Sequence, residues 1–303
     1  YFGEAPTTTY SISKPDEEKG FRLNINEKNY LLFNAIRLFY ANGGSDCYIV
    51  SVGNYEKTIE KDNYVEAINT LLKYPEPTML VIPEAVLLEE KECYELQQKM
   101  LEHCGGEMKN RIAILDIYNG NQARTGLEDD VITKFQTGIG RQYLSFGAAY
   151  YPWLETTITH KNEISFKNIS TDTLETLITI LKEEADALPK KSSIKDKIDE
   201  LKAPKDDNLH QVLLTHSPLY KNIIQAITKK VNILPPAAAM AGIYSMVDNS
   251  KGVFQAPANV SIGSVIKPTV NISNNEQEDL NMPLNGKAVN AIRSFPGKGV
   301  LVW

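Results

Sequence analysis

The feature that most constrains this chain is an alternation of short apolar runs with amphipathic segments in its first half. Buried apolar strands joined by amphipathic helices are typical of a parallel sheet that is covered on both faces. The sequence therefore predicts an α/β domain with an open sheet over residues 1–154. Its strands are expected at 47–52, 79–82, 112–116 and 145–151, and its helices at about 28–42, 62–73, 88–103 and 127–137.

Residues 155–231 break this alternation. They contain two or three helical patterns and a lysine-rich stretch that leads into Ala203-Pro204-Lys205. We predict a mostly helical insertion over 155–231, with one exposed loop near 189–207. The lysines could face an acidic partner, although a solvated loop is the default interpretation. They are Lys190, Lys191, Lys195, Lys197 and Lys202.

The third predicted region, 232–303, returns to strands. Pro235-Pro236 predicts a helix start, and Asp248-Asn249-Ser250 the end of that helix. Strands are expected near 260–272 and a helical turn at 275–280. A final hairpin is expected from 289–294 and 300–303 around Pro296-Gly297-Lys298-Gly299. Because the chain stops within an apolar strand, we expect a fragment whose next segment is missing, and a hairpin edge open to a donated strand.

The composition of the 303 residues limits the partners. A net charge of −6 argues against nucleic acid, since phosphate binding needs a basic surface. No apolar run approaches the about 18–20 residues of a transmembrane helix. Three cysteines do not make a disulfide framework. We predict that Cys47, Cys93 and Cys104 are reduced packing residues of a protein made in the cytoplasm.

Several ordered phrases resemble a known family. Residues 256–259 read APAN, and residues 285–303 read NGKAVNAIRSFPGKGVLVW. Upstream, NGG at 42–44 precedes CYIVSVG at 47–53, and RIAILD at 111–116 precedes GAAYYPWL at 147–154. These phrases, in this order, resemble the tail sheath proteins of contractile phage tails and of related bacterial contractile injection systems. Residues 155–231 match nothing specific in that family.

The resemblance implies a structural function and no enzymatic one. Sheath subunits of that family stack as six-fold rings around an inner tube and contract to drive the tube through a target envelope. Partners implied by the resemblance are other sheath subunits linked by strand exchange through arms, the inner tube protein and a baseplate. It implies assembly in the bacterial cytoplasm, with no nucleic acid partner and no membrane insertion. It also implies that the family's C-terminal assembly domain is absent here.

Asp116 is the acid that best supports an alternative. It ends a predicted parallel strand, where open α/β sheets place their ligands. The second interpretation is that Asp116 caps or orients the loop at 117–122. The alternative function is thus an α/β nucleotide-binding protein or enzyme with a site near Gly53, Pro83 and Asp116. A further alternative is an interaction module built on residues 155–231.

Two clusters of possible metal ligands are better explained structurally. Cys93, His103 and Cys104 fit no structural zinc spacing, and a fourth ligand is not apparent. The run Glu128-Asp129-Asp130 could hold a divalent cation. However, acidic residues in the first turn of a helix complement its dipole, and this interpretation is favoured.

Three further motifs fail as catalytic signatures. Gly138-Ile139-Gly140 begins like a dinucleotide fingerprint, but it follows a predicted helix and Tyr143 occupies the third glycine position. Gly286-Lys287 lacks the other residues of a phosphate loop, and Asn285-Gly286 is explained as a turn. His210, His216 and Ser217 lie at a helix boundary without a nucleophile elbow. We therefore predict no catalytic, cofactor-binding or metal-binding residue and no cofactor.

Overall fold

The computed structural model describes residues 9–14, 21–25, 30–54, 58–187, 192–203 and 208–302. Its strands are β1 (Tyr10–Ser13), β2 (Arg22–Ile25), β3 (Met79–Leu80), β4 (Ile112–Asp116), β5 (Gly147–Tyr151), β6 (Leu154–Thr156), β7 (Ile233–Leu234), β8 (Val265–Pro268), β9 (Asn290–Phe295) and β10 (Gly299–Val302). Its α-helices are α1 (Leu32–Ala41), α2 (Lys61–Thr70), α3 (Glu90–Glu102), α4 (Val131–Gly138), α5 (Leu174–Ala187), α6 (Ser192–Asp199), α7 (Leu209–His216), α8 (Pro218–Val231), α9 (Ala237–Lys251) and α10 (Asn274–Asn281). The α/β class with a largely helical insertion is confirmed.

The chain divides into two compact units. One comprises described residues up to Tyr30 together with Thr159–Asn232, and the other comprises Leu31–Ile158 together with Ile233–Trp303. Each unit has its own hydrophobic core. The division into 1–154, 155–231 and 232–303 stays a proposal.

The larger unit is built on a five-stranded sheet in the order β10-β9-β5-β4-β3. Strands β3, β4, β5 and β9 are parallel, and β10 returns antiparallel to β9. The register pairs Asp116 of β4 with Tyr150 of β5, and Tyr150 with Asn290 of β9. Helix α3 packs against β4, α2 and α4, while α9 packs against β4 and α1. The apolar β4 run is buried by these helices.

A second, antiparallel sheet of the larger unit has the order β7-β6-β8. Leu154 of β6 faces Leu234 of β7 on one side and Pro268 of β8 on the other. The chain that leaves β6 at Thr156 thus returns in β7 beside it. Within the larger unit, the strand before residues 159–232 therefore pairs with the strand that follows them.

The smaller unit combines a strand pair with four helices. Strands β1 and β2 pair antiparallel from Tyr10↔Ile25 to Ser13↔Arg22. Helices α5, α6, α7 and α8 supply most of the apolar core, and Tyr10, Ile12 and Leu23 of the strand pair pack against them. Among the described residues of the whole chain, no helix has the length and apolar character needed to cross a membrane.

The predicted strand at Cys47–Val52 is wrong. Residues 44–54 carry no strand, and Tyr48 is 56% exposed. Val50 and Val52 pack partly against the core. The apolar pattern therefore reflects the partial burial of alternate side chains in a segment that forms no strand. Cys47 is exposed, which also corrects its assignment as a packing residue. Cys93 and Cys104 are buried free thiols as predicted.

Other element boundaries moved for local reasons. Residues 192–199 of the predicted 189–207 loop form α6, and a 3-10 turn follows at Glu200–Lys202. Residues 188–191 and 204–207 of that loop lie outside the described residues, as does Trp303. Helix α4 starts at Val131 instead of 127, because the Asp130 side chain accepts from the Ile132 and Thr133 amides. Helix α9 continues to Lys251 and ends at Gly252, whose φ is +96°.

Candidate functional site

Asp116 lies at the carboxyl end of β4, as predicted, but its side chain is buried and only 4% exposed. Its Oδ1 accepts a hydrogen bond of 2.7 Å from the backbone N–H of Ala237, the first residue of α9. A buried acceptor at this position satisfies one of the amides that a helix N-terminus leaves unpaired. Asp116 therefore caps α9 from a distant strand.

The surroundings of Asp116 favour its neutral form. Burial raises the pKa of its carboxyl to about 7, against the opposing effect of the Ala237 hydrogen bond. Buried Gln97 donates 2.7 Å to the Asp116 backbone carbonyl, and its own Oε1 has no partner among the described protein atoms. Burial, and then the charge of Asp116, raise the pKa of the Cys93 thiol to about 12. A neutral thiol and a capped carboxyl make a packed interior with no activated nucleophile at this point.

The loop after Asp116 is oriented by other residues. Trp153 Nε1 donates to the Ile117 carbonyl at 2.9 Å, and the Trp153 amide donates to the Gly120 carbonyl at 3.0 Å. The Tyr151 hydroxyl donates to the Gln122 carbonyl at 2.8 Å. The expectation that Asp116 orients residues 117–122 is therefore corrected, since its side chain caps α9 and the aromatic end of β5 holds the loop.

The two other predicted strand ends behave differently. Gly53 follows no strand, because residues 44–54 form none. Pro83 opens a 3-10 turn, Pro83–Leu87, in which buried Glu84 accepts from the amides of Leu31 at 3.1 Å and Leu32 at 2.7 Å. Glu84 thus caps α1, a role that nothing local in the sequence indicates.

The Asp130 carboxylate accepts hydrogen bonds from backbone amides at the start of α4 and just before it. Its Oδ1 accepts from Ile132 at 2.9 Å, and its Oδ2 accepts from Thr125 at 2.8 Å and Gly126 at 3.0 Å. Burial raises its pKa, but these backbone donors and Arg124 outweigh burial and hold the pKa below its usual value. The run at 128–130 precedes α4, and the first turn of that helix contains no acidic residue. The first-turn interpretation of the run is therefore corrected, because Asp130 acts as the N-cap. Within the described ranges, no group of three or more His, Cys, Asp or Glu side chains could hold a metal ion.

Cys93, His103 and Cys104 are all buried, but they serve different contacts. His103 lies between Glu107 and Arg111, at 3.2 Å from each. Burial raises the pKa of the Cys104 thiol to about 12, against the opposing charge of Arg111. Cys93 lies in the first turn of α3, whereas His103 and Cys104 follow its last residue, so these side chains belong to opposite ends of the helix.

The glycine motifs are turns. Gly138 ends α4, so the dinucleotide-like run follows a helix as expected. Gly286, with φ +72°, donates to the Pro283 carbonyl at 3.0 Å, and the Lys287 amide donates to the Asn285 side chain at 2.9 Å. Both positions use backbone geometry without the amide cradle of a phosphate site.

Ser217 and the two histidines mark a helix boundary. The Ser217 hydroxyl accepts from the Tyr220 amide at 3.0 Å and donates to Glu184, whose other oxygen accepts from the Leu219 amide at 2.7 Å. His210 instead contacts the Tyr220 hydroxyl at 2.9 Å. The structure therefore brings the Glu184 carboxylate to the Ser217 hydroxyl and to the start of α8, while His210 contacts Tyr220.

The outer edge of the final hairpin is paired within the chain. The amides of Asn259 and Ile262 donate to the carbonyls of Val302 at 2.8 Å and Val300 at 2.9 Å, and Ser261 bridges Leu301. The other side of the hairpin, β9, pairs with β5. The expectation of an open edge at β10 is therefore wrong, because the APAN phrase leads directly into the segment that covers it.

Neither a protein-family model nor a curated protein sequence matches this chain. Solved structures do. A chain of the anti-feeding prophage (AFP) baseplate in contracted state aligns with 99% of this chain and 60% of its own length, at 17% identity and a TM-score of 0.55. A chain of the six-fold symmetrised AFP baseplate aligns with 97% of this chain and 59% of its own, at 18% identity and a TM-score of 0.49.

A third solved chain, from the PVC sheath complex of an extracellular contractile injection system in contracted state, aligns with 91% of this chain and 50% of its own, at 22% identity and a TM-score of 0.47. The chain thus spans between half and about 60% of the solved chains described here. At identities of 17–22%, the likeness shows the fold alone. It rests on the AFP baseplate chain with the TM-score of 0.55. This chain shares its fold with a chain of the contracted AFP baseplate structure.

Proposed function

We propose that this chain is part of a structural subunit of a contractile sheath, which assembles as stacked six-fold rings around an inner tube. The observation that carries the proposal is the fold shared, over 99% of the chain, with a protein of the contracted AFP baseplate. The ordered sequence phrases support it independently, because they are a property of the sequence alone. The proposed role is structural, with no catalytic residue and no cofactor.

The proposed partners follow from the same argument. They are other copies of the sheath subunit, an inner tube protein and a baseplate. The net charge of −6 disfavours nucleic acid as a partner. We propose assembly in the bacterial cytoplasm into a phage tail or a phage-tail-like injection particle, without membrane insertion.

The proposed mechanism stores energy in assembly geometry. Heterologous contacts that do not close generate helical filaments, and a filament held behind a barrier is kinetically stable until a signal releases it. The close-packed core of each unit suits a scheme in which each unit keeps its internal packing while subunits move. No nucleotide is required for contraction in this scheme. Because the β10 edge is already paired, strands exchanged between subunits would use other edges or other segments.

Electron microscopy of the gene product that contains this chain, expressed with its neighbouring tube protein, tests the proposal. We expect hollow tubes with a helical ring repeat. The Asp116→Asn variant is the matched control, because Asn keeps an acceptor for Ala237 while an enzyme that used the carboxylate would lose activity. Tubes from both proteins support the sheath. A dispersed protein that binds ATP at a defined site, with binding lost in Asp116→Asn, would overturn it in favour of the α/β enzyme.

A further inference from the structure

The chain between α3 and β4 is wound as a π-helix, His103–Met108. The Lys109 amide donates to the Cys104 carbonyl at 2.9 Å across this wide turn. A Cβ on Gly105 would lie 2.7 Å from Cβ of Tyr143, so the turn accepts the tyrosine only because glycine stands there. Single π turns inside α-helical segments are rare and often lie at functional sites.

His103 holds this turn through two charged neighbours. Its ring is fully buried, with Nδ1 at 3.2 Å from Oε2 of Glu107 and Nε2 at 3.2 Å from a terminal nitrogen of Arg111. A guanidinium can only donate, so Nε2 must accept. The ring proton therefore lies on Nδ1 and is donated to Glu107, which requires a neutral imidazole.

Arg111 cannot easily withdraw from this contact. It is only 4% exposed, and it also donates to the Tyr74 carbonyl at 2.6 Å and to the Asn110 side chain at 3.1 Å. Lys99 on α3 lies 3.5 Å from Glu107 and 3.1 Å from Glu102. The cluster thus already holds two cations beside the ring.

The charged groups that act on His103 come from every side of the turn. They are Glu107 on the turn itself, Arg111 before β4 and Lys99 on α3, while the titratable Tyr143 packs on the glycines. Burial, then Arg111 and Lys99, lower the pKa of His103, and Glu107 opposes them. A proton added to Nε2 removes an acceptor from that Arg111 nitrogen and places N–H against N–H at 3.2 Å.

We propose that His103, Glu107 and Arg111 form an acid-sensitive lock on the π turn, closed while His103 is neutral and opened by a proton on Nε2. The lock is independent of the proposed sheath function, because it needs only the contacts of this turn. Opening would release residues 103–111 from their packing against Tyr143 and leave the strands of the sheet paired. The cluster combines a buried histidine with the carboxylate of Glu107 and the cations of Arg111 and Lys99.

Hydrogen–deuterium exchange of peptides covering 103–111 tests the lock, with rates at pH 7.5 and pH 5.0 corrected for intrinsic exchange. In the wild type we expect protection to fall at least about tenfold on acidification. In His103→Gln, which can accept and donate but cannot titrate, the fall should be absent. His210→Gln, a histidine of α7 that contacts Tyr220, is the matched control and should keep the fall.

Equal acid-induced loss in His103→Gln and wild type would overturn the lock, and so would unchanged protection in the wild type. Should His103→Gln fail to fold, deuterium exchange at the C2 carbon of His103 in the wild type measures its titration directly. A midpoint below about 6.5, the ordinary histidine value, supports the lock. A midpoint at or above that value overturns it.

Discussion

At the scale of single residues, Asp116 shows how far a sequence pattern can lead. The position at the end of a parallel strand was predictable, because strand β4 is a continuous apolar run. Its partner was not, because Ala237 lies 121 residues away along the chain. A carboxylate at a strand end therefore suggested a ligand site, and the fold uses it to start a helix.

Replacing Asp116 separates its hydrogen bond from its charge. Asp116→Ala leaves the buried Ala237 amide without its acceptor, and an unsatisfied buried donor costs about 1–3 kcal/mol. Asp116→Asn keeps an acceptor and removes an ionisable group from the interior, so it should lose much less. Urea denaturation at pH 7 measures both values. Equal losses in the two variants would contradict the capping role.

The pH dependence of stability should identify the same residue. The pKa of Asp116 is raised to about 7 by burial, so the folded protein binds more protons than the unfolded chain above the ordinary aspartate value. Its contribution is full below about pH 3.9 and is lost as the pH rises through the raised pKa. The free energy of unfolding of the wild type relative to Asp116→Asn should therefore fall between pH 5 and pH 7.5. Denaturation series at four pH values measure this difference, and a rising difference would refute the assignment.

At the scale of elements, some helix caps come from adjacent residues and others from distant ones. Ser273 and Glu276 form a capping box at the start of α10, and Asp130 caps α4 from the adjacent position. Glu84, in contrast, caps α1 from 53 residues away. The apolar run at 47–52 predicted a strand, but a strand needs a neighbouring backbone, and periodicity alone does not supply one.

Glu84 tests the cost of a remote cap. Glu84→Ala removes the buried acceptor of the Leu31 and Leu32 amides, and we expect a loss of about 1–3 kcal/mol together with faster amide exchange in the first turn of α1. Glu89→Ala is the matched control, because Glu89 precedes α3 without a side-chain capping bond. Chemical denaturation should show less than about 0.5 kcal/mol for that control. Similar losses in both variants would argue against the cap.

Gly242 shows that packing can reverse a helix propensity. Glycine inside a helix is about 1 kcal/mol worse than alanine, so Gly242→Ala in α9 would ordinarily stabilise. Here a Cβ would lie 2.3 Å from the carbonyl oxygen of Phe39 on α1, and backbone cannot yield cheaply. We expect destabilisation by about 1–3 kcal/mol. Asn249→Ala, on the exposed part of the same helix, should stabilise by a few tenths of a kcal/mol. Thermal denaturation compares the two, and stabilisation by both would show that α1 and α9 pack less closely.

At the scale of the whole molecule, the fold class followed from the alternation of patterns, and the sheet order did not. Placing β9 beside β5 joins segments that no local pattern connects. The same holds for residues 259–262, which cover the outer edge of β10 where the sequence suggested an open one. Edge pairing depends on which distant segment arrives there, so only the folded chain reveals it.

The independence of the two cores gives the broadest prediction. Among the described residues, the core of the larger unit contains none from 159–232, and Glu155 faces Ile233 across the β6–β7 pair. A chain that starts at Leu31 and joins Ile158 to Ile233 through a short glycine-rich linker should therefore fold, because β6 and β7, the strands on either side of the join, are paired neighbours. We expect circular dichroism to show a cooperative thermal transition, and exchange protection of β4 and β5 to match the parent chain. An insoluble or molten product would mean that the larger unit depends on the segment removed. In the sheath proposal this deletion should spare tube assembly, whereas an interaction module on residues 155–231 would lose its partner.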